Sequence, residues 1–262
     1  MNPSTQSSAD ELLQRQQDGV LTLTINRPER RNAMSPAVLQ GLSAALVQAR
    51  SDRSVRAIVL TAAGDRAFCA GADLQTGQSF KFDYSEPEQA FANLMRTARA
   101  THVPLIARVN GACVAGGMGL LAMCDFAVAS PSARFGLPEV KIGVFPAQVL
   151  SVLQGLIGRR MLTELCITGE LIDAQQALAC GLINAVAEDL DADVQRLLSR
   201  ITDKSPAAIR RGLYLMKHIE ALPFEAAMAF TEGQIGLFAL TEDAAEGQAA
   251  FREKRPPHWI GR

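Results

Sequence analysis

Four glycines lie in the stretch Val109–Asp125, which reads VNGACVAGGMGLLAMCD, and they are Gly111, Gly116, Gly117 and Gly119. The pattern predicts the end of a buried strand, a turn and a short helix that is apolar on every side. A turn without Cβ atoms lets another backbone or a ligand approach closely. The first N–H groups of a helix have no intrahelical partner and favour negative charge. The stretch therefore predicts either a turn that only packs a helix onto a sheet or one that also binds an anion.

Composition excludes several classes of partner. The chain has 262 residues, of which 48% are hydrophobic, and a formal net charge of −1. A chain of this size can bury a large core, and its charge gives no reason to expect a nucleic acid or an anionic membrane as partner. No apolar run reaches the roughly 18–20 residues that cross a bilayer. The glycine stretch has neither a GxGxxG nor a GxxxxGK[ST] spacing, so it indicates no dinucleotide or nucleoside triphosphate.

The cysteines and histidines indicate a reducing compartment and no metal. Five cysteines without a CxxC spacing lie among apolar residues, which is typical of buried thiols. The three histidines, His102, His218 and His258, are scattered and form no metal-ligand cluster. The N-terminal sequence has no apolar segment of a secretory signal. We therefore expect a cytoplasmic protein without a metal site.

The order of the elements predicts an α/β core and a helical C-terminal region. Residues 1–18 are polar and we expect them to be loosely ordered. From residue 19 to residue 190 strands alternate with helices, and Val55–Thr61 is nearly continuously apolar, as in a parallel sheet covered on both faces. One helix is expected to begin at Glu86-Pro87, and residues 191–262 are predicted to be helical. Short strands and many glycines suit a coil of repeated β-β-α turns.

Three motifs each follow a predicted strand. They are Ala70-Gly71-Ala72-Asp73, Val114-Ala115-Gly116-Gly117 and Leu137-Pro138-Glu139. Two backbone N–H groups from different loops, aimed at one point, stabilise a developing oxyanion. A carboxylate on a third loop moves a proton beside it. Together, in this order, the motifs predict an active site.

These motifs resemble the crotonase family, the enoyl-CoA hydratases and isomerases. The likeness runs from about Val20 to Arg262 and includes Asn26-Arg27-Pro28 with Arg31-Asn32-Ala33, Phe68–Asp73, Asn110–Gly117, Cys124-Asp125, Phe135–Glu139, Gly143 with Pro146, Thr168-Gly169, and the tail Glu246-Gly247 with Phe251, Glu253, Lys254 and Arg255. The resemblance implies a spiral of β-β-α units with a helical C-terminal trimerisation region. It also implies a homotrimer or a dimer of trimers, a coenzyme A thioester as substrate, as in fatty acid metabolism, and no metal or redox cofactor.

The resemblance also implies residue roles. Ala72 and Gly116 would hold the thioester oxygen through their N–H groups, and Glu139 would transfer the proton. Arg30 or Arg31 and also Lys254 would reach the phosphates of coenzyme A, and Lys254 would do so from a neighbouring subunit. For each of these three residues, a solvated charge at the protein surface without a ligand is an equal alternative. Asp73 and Asp125 are expected to be caps or ion-pair partners rather than catalysts. The rest of the substrate-binding surface would comprise Ala70, Gly71, Asp73, Gly117 and Gly119.

The chain departs from the family pattern at one position. Hydratases of this family use a second glutamate three residues after the oxyanion glycine, and this chain has Gly119 there. Gly119 leaves Glu139 as the single carboxylate and is expected to leave room for a branched or bulky acyl group. We favour a hydratase-like lyase that works through a stabilised enolate. A Δ3,Δ2-enoyl-CoA isomerase using Glu139 alone and an acyl-CoA-binding homologue with little catalysis are the alternatives.

Overall fold

The computed structural model describes residues 11–73, 85 and 88–262. Its strands are β1 Leu12–Gln17, β2 Val20–Ile25, β3 Ala57–Ala62, β4 Ala67–Cys69, β5 Leu105–Val109, β6 Ala112–Val114, β7 Phe126–Ala129, β8 Arg134–Gly136, β9 Leu171–Asp173 and β10 Ala185–Val186. Its helices are α1 Pro36–Ser51, α2 Ala90–Arg99, α3 Gly116–Ala122, α4 Ala147–Leu153, α5 Arg159–Thr168, α6 Ala174–Ala179, α7 Leu190–Thr202, α8 Pro206–Ile219, α9 Phe224–Ala239 and α10 Glu242–Glu253. The predicted helix start at Glu86-Pro87 lies outside the described residues.

The strands form two sheets that share the turns of one spiral. The larger sheet has the order β1-β2-β3-β5-β7-β10 and the smaller one the order β4-β6-β8-β9. Each of the pairs β3 and β4, β5 and β6, and β7 and β8 gives its first strand to the larger sheet and its second to the smaller one. Helices follow these pairs along the chain. This is the predicted spiral of β-β-α units.

Both faces of the larger sheet are covered, which explains the apolar run in β3. All six residues of β3 are buried. One face packs into the main core, and the other packs against α7 through residues such as Val59, Val194 and Leu198. A strand covered on both sides needs apolar residues at every position rather than at alternate ones.

The N-terminal segment differs from the prediction. Residues 12–17 form strand β1, which pairs antiparallel with β2, and Leu12 is buried. Asp18 and Gly19 connect the two strands, with φ angles of 49° and 78°. Two successive positive φ angles define a type I′ hairpin turn, for which Asp-Gly is a favoured sequence. The segment from Glu11 onward is therefore ordered, because the hairpin and one buried leucine anchor it.

Helix α8 attaches to the rest of the protein through polar contacts as well as through the apolar Ile209. Lys217 of α8 pairs with Asp125 at 3.1 Å, and Asp125 accepts a hydrogen bond from the N–H of Leu105. Arg210 donates to the carbonyl oxygens of Asp52 and Val55, which follow α1. Asp125 is thus an ion-pair partner, as predicted. No helix among the described residues is long and apolar enough to cross a membrane.

The hairpin predicts unequal costs for two adjacent leucines. Leu12→Ala removes a buried side chain and should lower the free energy of unfolding by about 2–5 kcal/mol. Leu13, which is 47% exposed, is the matched control, and Leu13→Ala should change the free energy of unfolding by less than about 0.5 kcal/mol. Urea denaturation measures both values. Equal small effects would mean that the N-terminal segment contributes no packing.

Candidate active site

The three motifs lie at the same edge of the smaller sheet. Strands β4, β6 and β8 are neighbours and run parallel, so their carboxyl ends meet at one edge. The motif that begins at Ala70 follows β4, the motif at Ala115 follows β6, and the motif at Leu137 follows β8. The N–H of Ala115 donates to the carbonyl of Gly136 at 3.0 Å, which joins the second loop to the third.

A bridge to Met34 orients the first loop. Met34 donates its N–H to the carbonyl of Gly71 at 2.8 Å and accepts from the N–H of Asp73 at 3.1 Å. Both hydrogen bonds to Met34 thus involve the neighbours of Ala72, not Ala72 itself. In a parallel bridge, the residue between two such neighbours directs its own N–H to the opposite side. The N–H of Ala72 therefore points away from Met34. Ala72 itself is exposed, so this N–H faces an accessible space.

The second loop brings another N–H group next to Ala72. Gly116 is the first residue of α3, so its N–H has no partner within the helix. A Cβ built on Gly71 would lie 3.2 Å from the nitrogen of Gly116, and one built on Gly116 would lie 3.8 Å from the nitrogen of Ala72. The structure thus brings together the two residues predicted to form the oxyanion hole.

Backbone strain and a tight contact hold this pair of loops. Ala115 has φ 52° and ψ −128°, a conformation that a residue with a Cβ adopts only at a cost. Gly71 has φ 91°, and a side chain there would come within 2.8 Å of the Ala115 Cβ. Gly117 lies so close to the carbonyl of Cys69 that a Cβ would collide with it. The glycines at 71 and 117 are therefore required for the close approach of the two loops.

The third loop carries a carboxylate with one unpaired oxygen. Glu139 lies in the 3₁₀ turn Pro138–Ile142 and is half-buried. Its Oε2 atom is buried and has no hydrogen-bond partner among the described residues. Desolvation by burial raises the pKa of Glu139, and a hydrogen bond from its own backbone N–H opposes the rise in part. A carboxylate whose pKa lies closer to neutrality is suited to moving protons.

The space expected beside Gly119 is filled. A Cβ built on Gly119 would lie 2.7 Å from Cζ of Phe91 and 3.5 Å from a methyl carbon of Val149. Phe91 belongs to α2 and Val149 to α4. The prediction of room for a branched or bulky acyl group at this position was therefore wrong, because a ring from a distant helix takes that volume. Sequence reasoning missed Phe91, and no local pattern marks it.

The basic residues near residue 30 adjoin the first loop. Arg31 accepts a hydrogen bond from the N–H of Ala70 through its carbonyl oxygen at 3.1 Å. Arg30 and Arg31 are both exposed. Their charged groups are thus carried by the segment that flanks the candidate oxyanion hole. Lys254 lies at the end of α10, which packs against α8 and α9, and its contact with a neighbouring subunit's substrate remains a prediction.

Asp73 lies in a buried ion pair. Its carboxylate accepts from Nη2 of Arg27 at 2.7 Å, and both side chains are about nine-tenths buried. Arg27 also donates to the carbonyl of Ala33, and Nε of the same arginine lies 3.4 Å from a carboxylate oxygen of Glu11. This network holds the first loop against the segment that carries Met34. Its geometry agrees with the predicted ion-pair role of Asp73, whereas a direct contact of Asp73 with substrate remains a prediction.

Comparisons with known proteins agree with the geometry. The model of the family described as enoyl-CoA hydratase/isomerase matches residues 15–262. A 2,3-dehydroadipyl-CoA hydratase of Escherichia coli is 35% identical over 96% of this chain and 99% of its own length. A crotonyl-CoA hydratase of Syntrophomonas wolfei is 31% identical over 97% and 99%. The crystal structure of an enoyl-CoA hydratase of Mycobacterium smegmatis superposes with a TM-score of 0.86 at 36% identity, covering 95% of this chain and 98% of that one.

Removal of Asp73 tests its structural role. Asp73→Ala leaves the buried Arg27 without its carboxylate partner and should lower the free energy of unfolding by about 3–5 kcal/mol. Asp65 is an exposed carboxylate after the neighbouring strand β3, and Asp65→Ala should change it by less than about 0.5 kcal/mol. Chemical denaturation gives both values. An unchanged stability in Asp73→Ala would contradict the structural role.

Proposed function

This chain belongs to the enoyl-CoA hydratase/isomerase family, and we propose that it adds water to the double bond of an enoyl-CoA thioester at the site formed by its three loops. The single observation that carries the proposal is the position of Glu139. Its buried oxygen without a hydrogen-bond partner belongs to the third loop, and the bond from the N–H of Ala115 to the carbonyl of Gly136 joins that loop to the one that carries Gly116. A reaction through an enolate requires donors that stabilise the oxyanion and a nearby group that transfers a proton.

The N–H groups of Ala72 and Gly116 bind the thioester oxygen in this proposal. When a nucleophile adds to the β-carbon, electron density moves through the α-carbon to this oxygen and produces an enolate. Each fixed donor that meets the developing charge lowers the barrier by roughly 3–4 kcal/mol. Both donors are backbone groups, so the reaction depends on the conformation of the loops rather than on side-chain chemistry at these two positions.

Glu139 moves the proton. As a carboxylate it takes one proton from a water molecule while the hydroxyl oxygen bonds to the β-carbon. The protonated Glu139 then gives that proton to the α-carbon of the enolate, which restores the thioester carbonyl and the carboxylate. One water is consumed and one 3-hydroxyacyl thioester is formed. The reaction is not a redox step, and we propose that it needs no metal or redox cofactor, with coenzyme A present only as part of the substrate.

One observation favours isomerisation as a second candidate. Position 119 carries no side chain, and the ring of Phe91 fills its place, so no second carboxylate is available there to hold the water. A single carboxylate is sufficient to take a proton from the α-carbon of a 3-enoyl thioester and return it to the γ-carbon. Product identification distinguishes the reactions, since hydration removes the absorbance of the conjugated enoyl thioester and isomerisation produces it. Tight binding with neither change would support an acyl-CoA-binding homologue.

The coenzyme A moiety is proposed to meet the basic residues beside the first loop. Arg30 and Arg31 are exposed and offer charge to phosphate groups. The backbone of Ala70 and of the buried Gly71 adjoins these residues, and Gly117 lies in the first turn of α3. Lys254 would act from a neighbouring subunit. The five cysteines are free, which suits a reducing compartment, and we propose a cytoplasmic location.

We also propose that the chain assembles as a trimer or a dimer of trimers. Helix α9 has no buried residue although it is rich in apolar side chains. Phe224, Ile235 and Leu240 are each more than 70% exposed, and so is Phe251 of α10. An apolar surface of this kind on a protein is characteristic of an interface. Symmetric copies of the chain are the simplest cover for it.

Glu139→Gln tests the proton transfer. The amide keeps the size of the side chain but does not accept the proton, so turnover should fall by about 10²–10⁴, whereas binding of the thioester is kept. The exposed Glu164 is the control, and Glu164→Gln should retain full turnover. Steady-state kinetics with crotonyl-CoA measures both. Full activity in Glu139→Gln would remove the assignment of the base.

The raised pKa of Glu139 gives the direction of the pH dependence. The base must be ionised, so kcat/KM should fall as the pH decreases through the pKa of Glu139, and this limb should lie above the ordinary value of 4.5. A pH–rate profile of the wild type shows the limb, and the residual activity of Glu139→Gln should lack it. The same limb in both proteins would assign the ionisation to another group.

The oligomer prediction is tested by light scattering. The measured mass should be about three or six times the chain mass of 28.1 kDa. Ile235→Glu places a charge in the apolar surface of α9 and should reduce the mass toward that of a monomer. Leu13→Glu changes an exposed leucine far along the chain from α9 and serves as the control. A monomeric wild type at working concentration would contradict the proposal.

A further inference from the structure

We propose that Phe91 determines the acyl specificity of this site, an inference that rests on the proposed function. Its ring replaces the side chain that position 119 lacks and makes an apolar wall beside the reacting carbons. The wall restricts the site to enoyl thioesters that are unbranched at the β-carbon.

Residue 119 lies close along α3 to Gly116, one of the two proposed oxyanion donors. Gly116 and Gly119 lie three residues apart on α3, so they share one face of the helix. Their separation along the helix axis is about 4.5 Å. If the thioester oxygen binds at Gly116, the carbons that adjoin the carbonyl group lie beside the next turn of α3. A group in front of Gly119 therefore borders the part of the acyl chain that reacts.

The group in front of Gly119 is the ring of Phe91. From Gly119, the direction of a Cβ leads to Cζ of Phe91 at 2.7 Å and Cε1 at 3.4 Å. Both are atoms at the far edge of the ring. Val149 completes the surroundings with a methyl carbon at 3.5 Å. Among the residues that the structure describes, the three atoms nearest to this position are thus carbon atoms of apolar side chains rather than carboxylate oxygens.

Helix α2 and the main core hold Phe91 in place. Phe91 lies in the first turn of α2 and packs against the main core. The ring is half-buried rather than fully buried, so part of it remains available for contact with a ligand. Leu94, one turn further along α2, is fully buried. The helix that carries Phe91 is therefore anchored independently of the ring.

The consequence for substrates is steric. A ring edge this close to α3 leaves little volume beside the reacting carbons, and a methyl or aryl group on the β-carbon would have to displace it. One added methylene in a tight apolar pocket changes kcat/KM by about 10–200-fold. The wild type should accordingly favour crotonyl-CoA over 3-methylcrotonyl-CoA.

The test compares the ratio of kcat/KM for 3-methylcrotonyl-CoA to that for crotonyl-CoA. Phe91→Ala should raise this ratio at least about tenfold, and Phe91→Leu should give an intermediate rise and serves if the alanine variant does not fold. Leu198→Val removes buried volume from α7, which packs on the other face of the larger sheet, away from the main core that Phe91 contacts, and it should leave the ratio unchanged. A ratio that stays within twofold of the wild-type value in both Phe91 variants would overturn the proposal.

Binding of saturated thioesters separates this proposal from the proposed reaction. Calorimetry with butyryl-CoA and 3-methylbutyryl-CoA requires no turnover. An increase in the relative affinity for the branched thioester in Phe91→Ala supports the proposed role of Phe91 in specificity, even if no enoyl thioester is converted. An unchanged relative affinity overturns that role. An absence of turnover in the wild type would therefore count against the proposed function alone.

A thermal denaturation cycle tests the packing itself. Gly119→Ala adds helix propensity but also places a Cβ against the ring. The change in Tm should therefore be more favourable in the Phe91→Ala background, where the opposing atoms are gone, than in the wild-type background. Equal changes in Tm in the two backgrounds would show that the ring does not occupy this volume and would contradict the proposal.

Discussion

The candidate site depends on the close approach of two backbone loops. Ala72 and Gly116 present N–H groups from different strands, and this arrangement requires Ala115 to adopt a positive φ angle beside Gly71. A strained residue of this kind costs on the order of 1–3 kcal/mol and persists only where its surroundings determine it. The rest of the fold supplies those surroundings, since it holds each loop by contacts that do not involve the N–H groups themselves.

Polar contacts behind the two loops hold them in this conformation. The Arg27–Asp73 pair and the bridge to Met34 fix the first loop. Asn32, which is buried and has φ 53°, donates to the carbonyls of Ala63 and Ala67 on either side of the turn before β4. These groups lie behind the site rather than in it. Their effect is to keep the two N–H donors fixed before a substrate arrives, which is the condition under which such donors lower a barrier most.

The sequence was sufficient to predict the parts of this arrangement that are local. Glycine spacing identified the turn into α3, continuous apolar residues identified β3, and three motifs after strands identified the loops. It was insufficient for contacts between distant residues, such as Phe91 with Gly119 or Arg27 with Asp73, because no periodicity encodes which side chain fills a given space. The hairpin at Asp18-Gly19 was a local signal that the polar character of its surroundings concealed.

Infrared spectroscopy of a bound thioester tests the central claim most directly. Glu139→Gln should bind crotonyl-CoA and convert it slowly enough for a spectrum to be recorded, and a ¹³C label at the thioester carbon isolates the carbonyl stretch in a difference spectrum. Two N–H donors at the oxygen weaken the C=O bond, so the band should lie at lower frequency in the complex than in free crotonyl-CoA, with a shift larger than water alone produces. A bound carbonyl at the frequency of the free thioester in water would contradict the assignment of Ala72 and Gly116 as the oxyanion hole.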